Sequence, residues 1–216
     1  MRREIMTTLI GLNACADAKK WAQSLNEDVS NEAAWRACER GDWMVWLLGA
    51  LHRRGAITRQ VLTLAAVVCA RTALPRLAGR PTEAAVIASL DATERWCRGE
   101  ADLPTVRDAR DAVYRARDEA WKAYQAARRI SLDAIDRRAA YAAAAAADAY
   151  ADDDAAAAAA AYAYAYADAY AYADDADDDA DDDDDDARKA HLRIEADAIR
   201  AAIPWQTVAD ALAKVA

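Results

Sequence analysis

Two sets of residues in this 216-residue chain have types and spacing that could do chemistry. The first is acidic: eleven of the thirteen residues from Asp174 to Asp186 are aspartate, among them Asp177, Asp178, Asp179, Asp181, Asp182 and Asp183. Carboxylates at this density mimic a string of phosphates and would suit the cationic cleft of a basic nuclease, since complementary charge speeds encounter and selects partners. The same run also suits a solvated segment that keeps a protein in solution. It lacks the glycine turn and terminal glutamate of a calcium-binding EF-hand loop. The second set is Trp43 and Trp46 with Arg40, Arg53 and Arg71. Aromatic faces beside guanidinium groups would hold a phosphorylated small molecule such as a nucleotide. Both Trp equally suit core anchors of an apolar helix.

The remaining candidates point away from catalysis. Glu32, Glu39 and Glu94 have neither the paired spacing nor the histidine neighbour of acid–base chemistry. His52 and His191 are the only histidines, and no Ser/His/Asp, Cys/His or phosphate-cradling glycine arrangement occurs. Cys15, Cys38, Cys69 and Cys97 are scattered, with no C-x-x-C pair. They read as small buried hydrophobes of a reducing cytoplasm, not as metal ligands. The expectation is a non-enzymatic protein without cofactor or metal.

Charge is unevenly distributed. The chain carries a net −9, yet without the 16 Asp of residues 139–187 it has 21 acids against 28 bases, a net +7. An acidic arm on a mildly basic body gives no reason to expect direct nucleic-acid binding. Arg2 and Arg3 precede a short apolar run, and Leu12-Asn13-Ala14-Cys15 has the look of a lipoprotein cleavage box. Glu4, Thr7, Thr8 and the shortness of the run weigh against that reading. No stretch approaches the roughly 20 apolar residues of a membrane span, so a cytoplasmic protein is expected.

The elements that must position these residues read as helices throughout. Six glycines and four prolines in the whole chain imply helices joined by short turns. Ala14–Leu25 forms a short helix, and Ser30 caps a second that ends at Gly41. Asp42 caps an apolar helix through Leu51 that would lie at the centre of the core. Thr58 opens the next, broken at Pro75, and Thr82 and Glu83 open another running to Gly99. Leu103-Pro104-Thr105 begins a longer helix with Val106, Ala109, Val113 and Ala116 inward. Residues 139–187 hold only 26 Ala, 16 Asp and 7 Tyr. They predict an Ala-rich helix to about Ala173, followed by a mobile acidic connector over Asp174–Asp186, because aspartate at a helix C-terminus opposes the dipole. The Tyr alternation from Tyr162 to Tyr172 also fits a strand, and the whole run also fits a repeat expansion that specifies no packing. His191–Ile203 makes a final amphipathic helix, and Trp205–Val215 adds a short helical turn. The fold class is all-α: an irregular multi-helix bundle with a long Ala-rich helix and an Asp-rich connector. Its parts are a body over 1–138, the low-complexity segment 139–187, and a C-terminal helix over 188–216 packing back on the body.

Several spaced blocks carry a resemblance. Asn13-Ala14-Cys15 with Trp21, Ala37-Cys38-Glu39-Arg40-Gly41-Asp42-Trp43-Met44-Val45-Trp46-Leu47, Cys69-Ala70-Arg71-Thr72-Ala73-Leu74, Trp96-Cys97-Arg98-Gly99 and Ile199-Arg200-Ala201-Ala202-Ile203-Pro204 occur in that order. Together they resemble the immunity proteins assigned to bacterial polymorphic toxin systems, specifically the fifth such immunity domain, found in bacteria and phages. The likeness spans most of Asn13–Trp205, and its most specific piece is the Cys-x-x-Gly-Asp-Trp block. The resemblance implies a cytoplasmic helical protein that neutralises a toxin or effector by binding it. The long Asp run departs from the plainer Ala-rich helix expected there. Two other readings remain open: a phage anti-defence protein that sequesters a host nucleotide signal between Trp and Arg side chains, and a structural module whose Ala-rich helices pair into a homo-oligomer.

Overall fold

The computed structural model describes residues 2–25, 29–127 and 181–215, with side chains described for 5–25, 29–75, 77–119 and 186–215. It is an all-α bundle, and among the described residues there is no strand. In chain order the helices are α1 (Arg2–Gly11), α2 (Ala16–Ser24), α3 (Asn31–Ala37), α4 (Gly41–Arg53), α5 (Arg59–Thr72), α6 (Glu83–Cys97), α7 (Leu103–Ala127), α8 (Asp181–Ala202) and α9 (Trp205–Val215). A 3-10 turn at Leu74–Leu77 absorbs Pro75 between α5 and α6. No described helix is long and apolar enough to cross a membrane.

Local chemistry sets most boundaries. The Ser30 hydroxyl accepts from the Ala33 amide, and the Thr58 hydroxyl from the Val61 amide, satisfying first-turn donors of α3 and α5. Asp102 does the same for α7, accepting from both the amide and the hydroxyl of Thr105. Gly55 ends the α4 region with φ +69, a conformation that an L side chain adopts only under strain.

Helix α5 is the hub, packing against α4, α6 and α8. One side contributes Leu62, Ala65, Ala66 and Cys69 to a core shared with Val45, Leu48 and Leu51 of α4, Ala196 and Ile199 of α8, Ile203 just after it, and Val208 of α9. Its other side gives Val67 and Ala70 to a smaller core with Leu77, Val86, Leu90 and Val113. A helix buried on two sides needs small residues where its neighbours approach, and α5 places alanines there.

Several sequence expectations change. The central core helix is α5, not α4, because the Trp43, Trp46 and Leu47 face of α4 is only half-buried. Asp42 does not cap α4: Arg40 occupies the cap position without a side-chain bond to the helix's first-turn amides, and Asp42 lies in the first turn. Helix α3 ends at Ala37, so Gly41 opens a helix and does not close one. Residues Arg2–Gly11 form a helix that the sequence pattern did not announce. Trp205–Val215 is a full helix. Part of the expected acidic connector lies outside the described residues, and its Asp181–Asp186 belong to α8. There they occupy a helix N-terminus, where negative charge meets the positive end of the dipole; the argument against helical Asp holds only at the opposite end. Cys38 and Cys69 are buried as expected, but Cys97 is half-buried and Cys15 is exposed, its sulfur capping α2 by accepting from the Ala18 amide. The expected Ala-rich helix and the Tyr alternation from Tyr162 to Tyr172 lie outside the described residues.

Candidate binding cleft

Helices α1, α2, α3, α4 and α9 surround an open cleft of about 660 Å³, including its mouth. Five tryptophans line it: Trp21, Trp35, Trp43, Trp46 and Trp205. Trp21 meets Trp43 edge-on with ring centroids 5.8 Å apart, and Trp35 lies 6.4 Å from Trp205 at a tilt. Such pairs fix ring orientation beyond simple burial. Ile5 and Leu9 from α1, Met44 and Leu47 from α4, and Leu212 from α9 fill the spaces between rings. None of the described side chains that line it is charged, and the lining is almost wholly apolar.

The block Cys38–Trp43 builds one wall and ties it to α8. The Arg40 guanidinium lies 4.5 Å above the Trp43 ring and makes two hydrogen bonds to Asp42, at 2.8 and 2.6 Å. Contact with Asp42 holds the Arg40 charge more firmly than usual despite partial burial. Glu39 pairs with Arg193 of α8 at 2.6 Å. Arg200 of α8 donates to the carbonyl oxygens of Cys38 at 2.6 Å and Trp35 at 3.3 Å, satisfying the open end of α3. Gly41 permits the closest approach: a Cβ there would lie 2.5 Å from Cβ of Glu195 and 3.1 Å from the Ala196 amide nitrogen. The Gly-Asp-Trp signature is therefore a packing device with three distinct duties. Glycine admits α8, aspartate anchors Arg40, and tryptophan faces the cleft.

The structure separates the residues singled out from sequence. Trp43 and Trp46 share the cleft, with Arg40 over one of them. Arg71 does not line the cleft; from α5 it bridges to α6, donating to Asp91 at 2.6 Å and to Glu94 at 2.7 and 3.0 Å. Arg53 is exposed at the end of α4. Asp177, Asp178 and Asp179 lie outside the described residues, while Asp181, Asp182 and Asp183 have their backbone in the first turns of α8. Sequence reasoning did not select Trp35 and Trp205 as cleft residues. Their signal was weak, because Trp35 sits in a seven-residue helix and Trp205 follows Pro204. Among the described residues, no group of three or more His, Cys, Asp or Glu could hold a metal ion.

No family model, no curated protein and no solved structure matches this chain.

Proposed function

We propose that this chain is a non-enzymatic immunity protein that neutralises a toxin or effector by binding it, with the tryptophan-lined cleft as the contact surface. One observation carries the reading: five tryptophans converge on an open, uncharged cleft held by a helical scaffold. Tryptophan is the residue most enriched among side chains that dominate binding energy, and interface centres are depleted in charge. The block Ala37–Leu47 that carries the resemblance to immunity proteins also supplies the cleft's Trp43, Met44, Trp46 and Leu47. An apolar segment projecting from the partner, helical or looped, would fill such a cleft.

Sequestration of a nucleotide is less well supported by this geometry. A phosphate needs a cation at the cleft, but Arg71 is committed to Asp91 and Glu94, and Arg40 to Asp42.

The test is capture of partners on the immobilised chain from cells that encode it, beside a Trp43→Ala/Trp46→Ala double variant of unchanged helicity. The expected result is a protein retained by the native chain and lost with the variant. Expressed alone, that protein stops growth, and growth returns when the native chain is co-expressed. A partner held equally well by the variant, or one that is harmless alone, overturns the proposal.

A further inference from the structure

We propose that His191 and Glu195 form a proton-held latch that seats α8 on α4 and α5. The two side chains lie one turn apart on α8 and are almost wholly buried, at 1% and 0% exposure. His191 Nε2 is 3.3 Å from Glu195 Oε1, close enough for attraction but not in good hydrogen-bond geometry. Among the described residues, neither Glu195 oxygen accepts a well-formed hydrogen bond. The carboxyl is pressed against α4 at its tightest contact, where Oε2 lies 3.0 Å from the position of a Cβ on Gly41.

The groups facing Glu195 decide what happens when a proton leaves. From its own helix comes His191, from α4 comes Asp42, and from α5 comes the Cys69 thiol. Asp42 is negative and already neutralised by Arg40. Burial, then the charges of Glu195 and Asp42, push the Cys69 thiol up, so it stays neutral and donates no charge. His191 is thus the sole counter-charge facing Glu195 in this set, and one proton shared by the pair keeps it neutral overall. Loss of that proton to water leaves a buried carboxylate beside Asp42, the arrangement that low-dielectric surroundings penalise most.

Burial raises the Glu195 carboxyl above its ordinary 4.5, and Asp42 adds to the rise, while His191 opposes it. A raised acid binds its proton more tightly in the folded state than in the unfolded state. Its contribution to stability is therefore complete below the ordinary value and is lost as pH climbs from 4.5 through the folded value. The proposal is independent of what the cleft binds.

Thermal melting of the full chain and of Glu195→Gln between pH 4.5 and 8 tests it. Gln keeps the shape and removes the charge. The expected result is a variant that melts about 3 °C or more above the native chain at pH 8, with the gap narrowing as pH falls. Unlatching also uncovers Cys69, so a thiol reagent at pH 8 should label Cys69 severalfold faster in the native chain than in the variant. Parallel melting profiles, or equal labelling of Cys69, overturn the latch. If Glu195→Gln does not fold, the glutamate carboxyl ¹³C shifts of the native chain read the same group. One glutamate titrating well above 4.5 supports the latch, and all of them titrating in the ordinary range overturns it.

Discussion

Gly41 concentrates the constraints of this molecule into one hydrogen atom. Any side chain there meets Glu195 Cβ at 2.5 Å, a contact backbone atoms must move to relieve. Gly41→Ala should therefore destabilise by about 2 kcal/mol in denaturant unfolding, as overpacking does. Gly11→Ala is the contrast, since nothing lies within 4 Å of its Cβ position and it has no positive φ. It should be neutral or stabilise by about 0.5 kcal/mol. Cysteine chemistry gives a second residue-scale prediction. Burial pushes the Cys38 thiol up to about 11 and the Cys97 thiol to about 12, so neither forms thiolate at pH 7.5. Alkylation of the native chain at pH 7.5, followed by mass mapping, should modify exposed Cys15 first and reach Cys38 only after denaturation. Rapid labelling of Cys38 in the folded chain would contradict the burial of the α3–α4 junction.

Helix α8 is the element that turns a set of short helices into one core. Its inward residues Leu192, Ala196 and Ile199 follow the helical repeat, which the buried Ile203 just past its end continues, and its flank carries Arg193 and Arg200 to α3 and the turn after it. Arg200→Leu should cost about 2–3 kcal/mol, because the carbonyls of Trp35 and Cys38 lose a charged donor and Asp197 loses its partner. Unchanged stability in denaturant would show that water replaces the guanidinium there at no cost. Caps act on a smaller scale: Ser30→Ala should lose about 1 kcal/mol by releasing the Ala33 amide. The cap of α7 is pH-dependent in the opposite sense to Glu195. Hydrogen bonds from Thr105 hold the Asp102 carboxyl below its ordinary 3.8, so the stability the ionised cap adds is present above that value and is lost as pH falls through the folded value. Thermal melting should put Asp102→Ala below the native chain at neutral pH, with the gap narrowing as the Asp102 carboxyl is protonated in acid.

At the scale of the whole molecule, two sets of residues of opposite character compete for the role of contact site. The cleft is uncharged, while the aspartates of Asp174–Asp186 are charge alone. Salt separates them: affinity made by apolar burial is nearly insensitive to ionic strength, whereas attraction between exposed charges falls as the Debye length shrinks to about 3 Å at 1 M. Binding measured at 0.05 and 1 M salt should change by less than about tenfold if the cleft carries the contact. A loss of several orders of magnitude would move the contact to the acidic run.

The legible parts of this protein were those governed by local rules. Helical class, the Ser30 and Thr58 caps and the inward stripe of α8 all follow from propensity, capping and a 3.6-residue period read over a few neighbouring positions. What could not be read was which apolar faces find a partner. Helix α4 is apolar nearly all round and looked like the centre of the core, yet its tryptophan face lines an open cleft while α5 is covered on both sides. Burial of a face depends on helices distant in the chain, and no local period encodes their position. The same reason hid the buried pair. A His and a Glu four residues apart fit a solvated helix surface by sequence. Only the seating of α8 against Gly41 and α5 removes both from water and makes their shared proton matter.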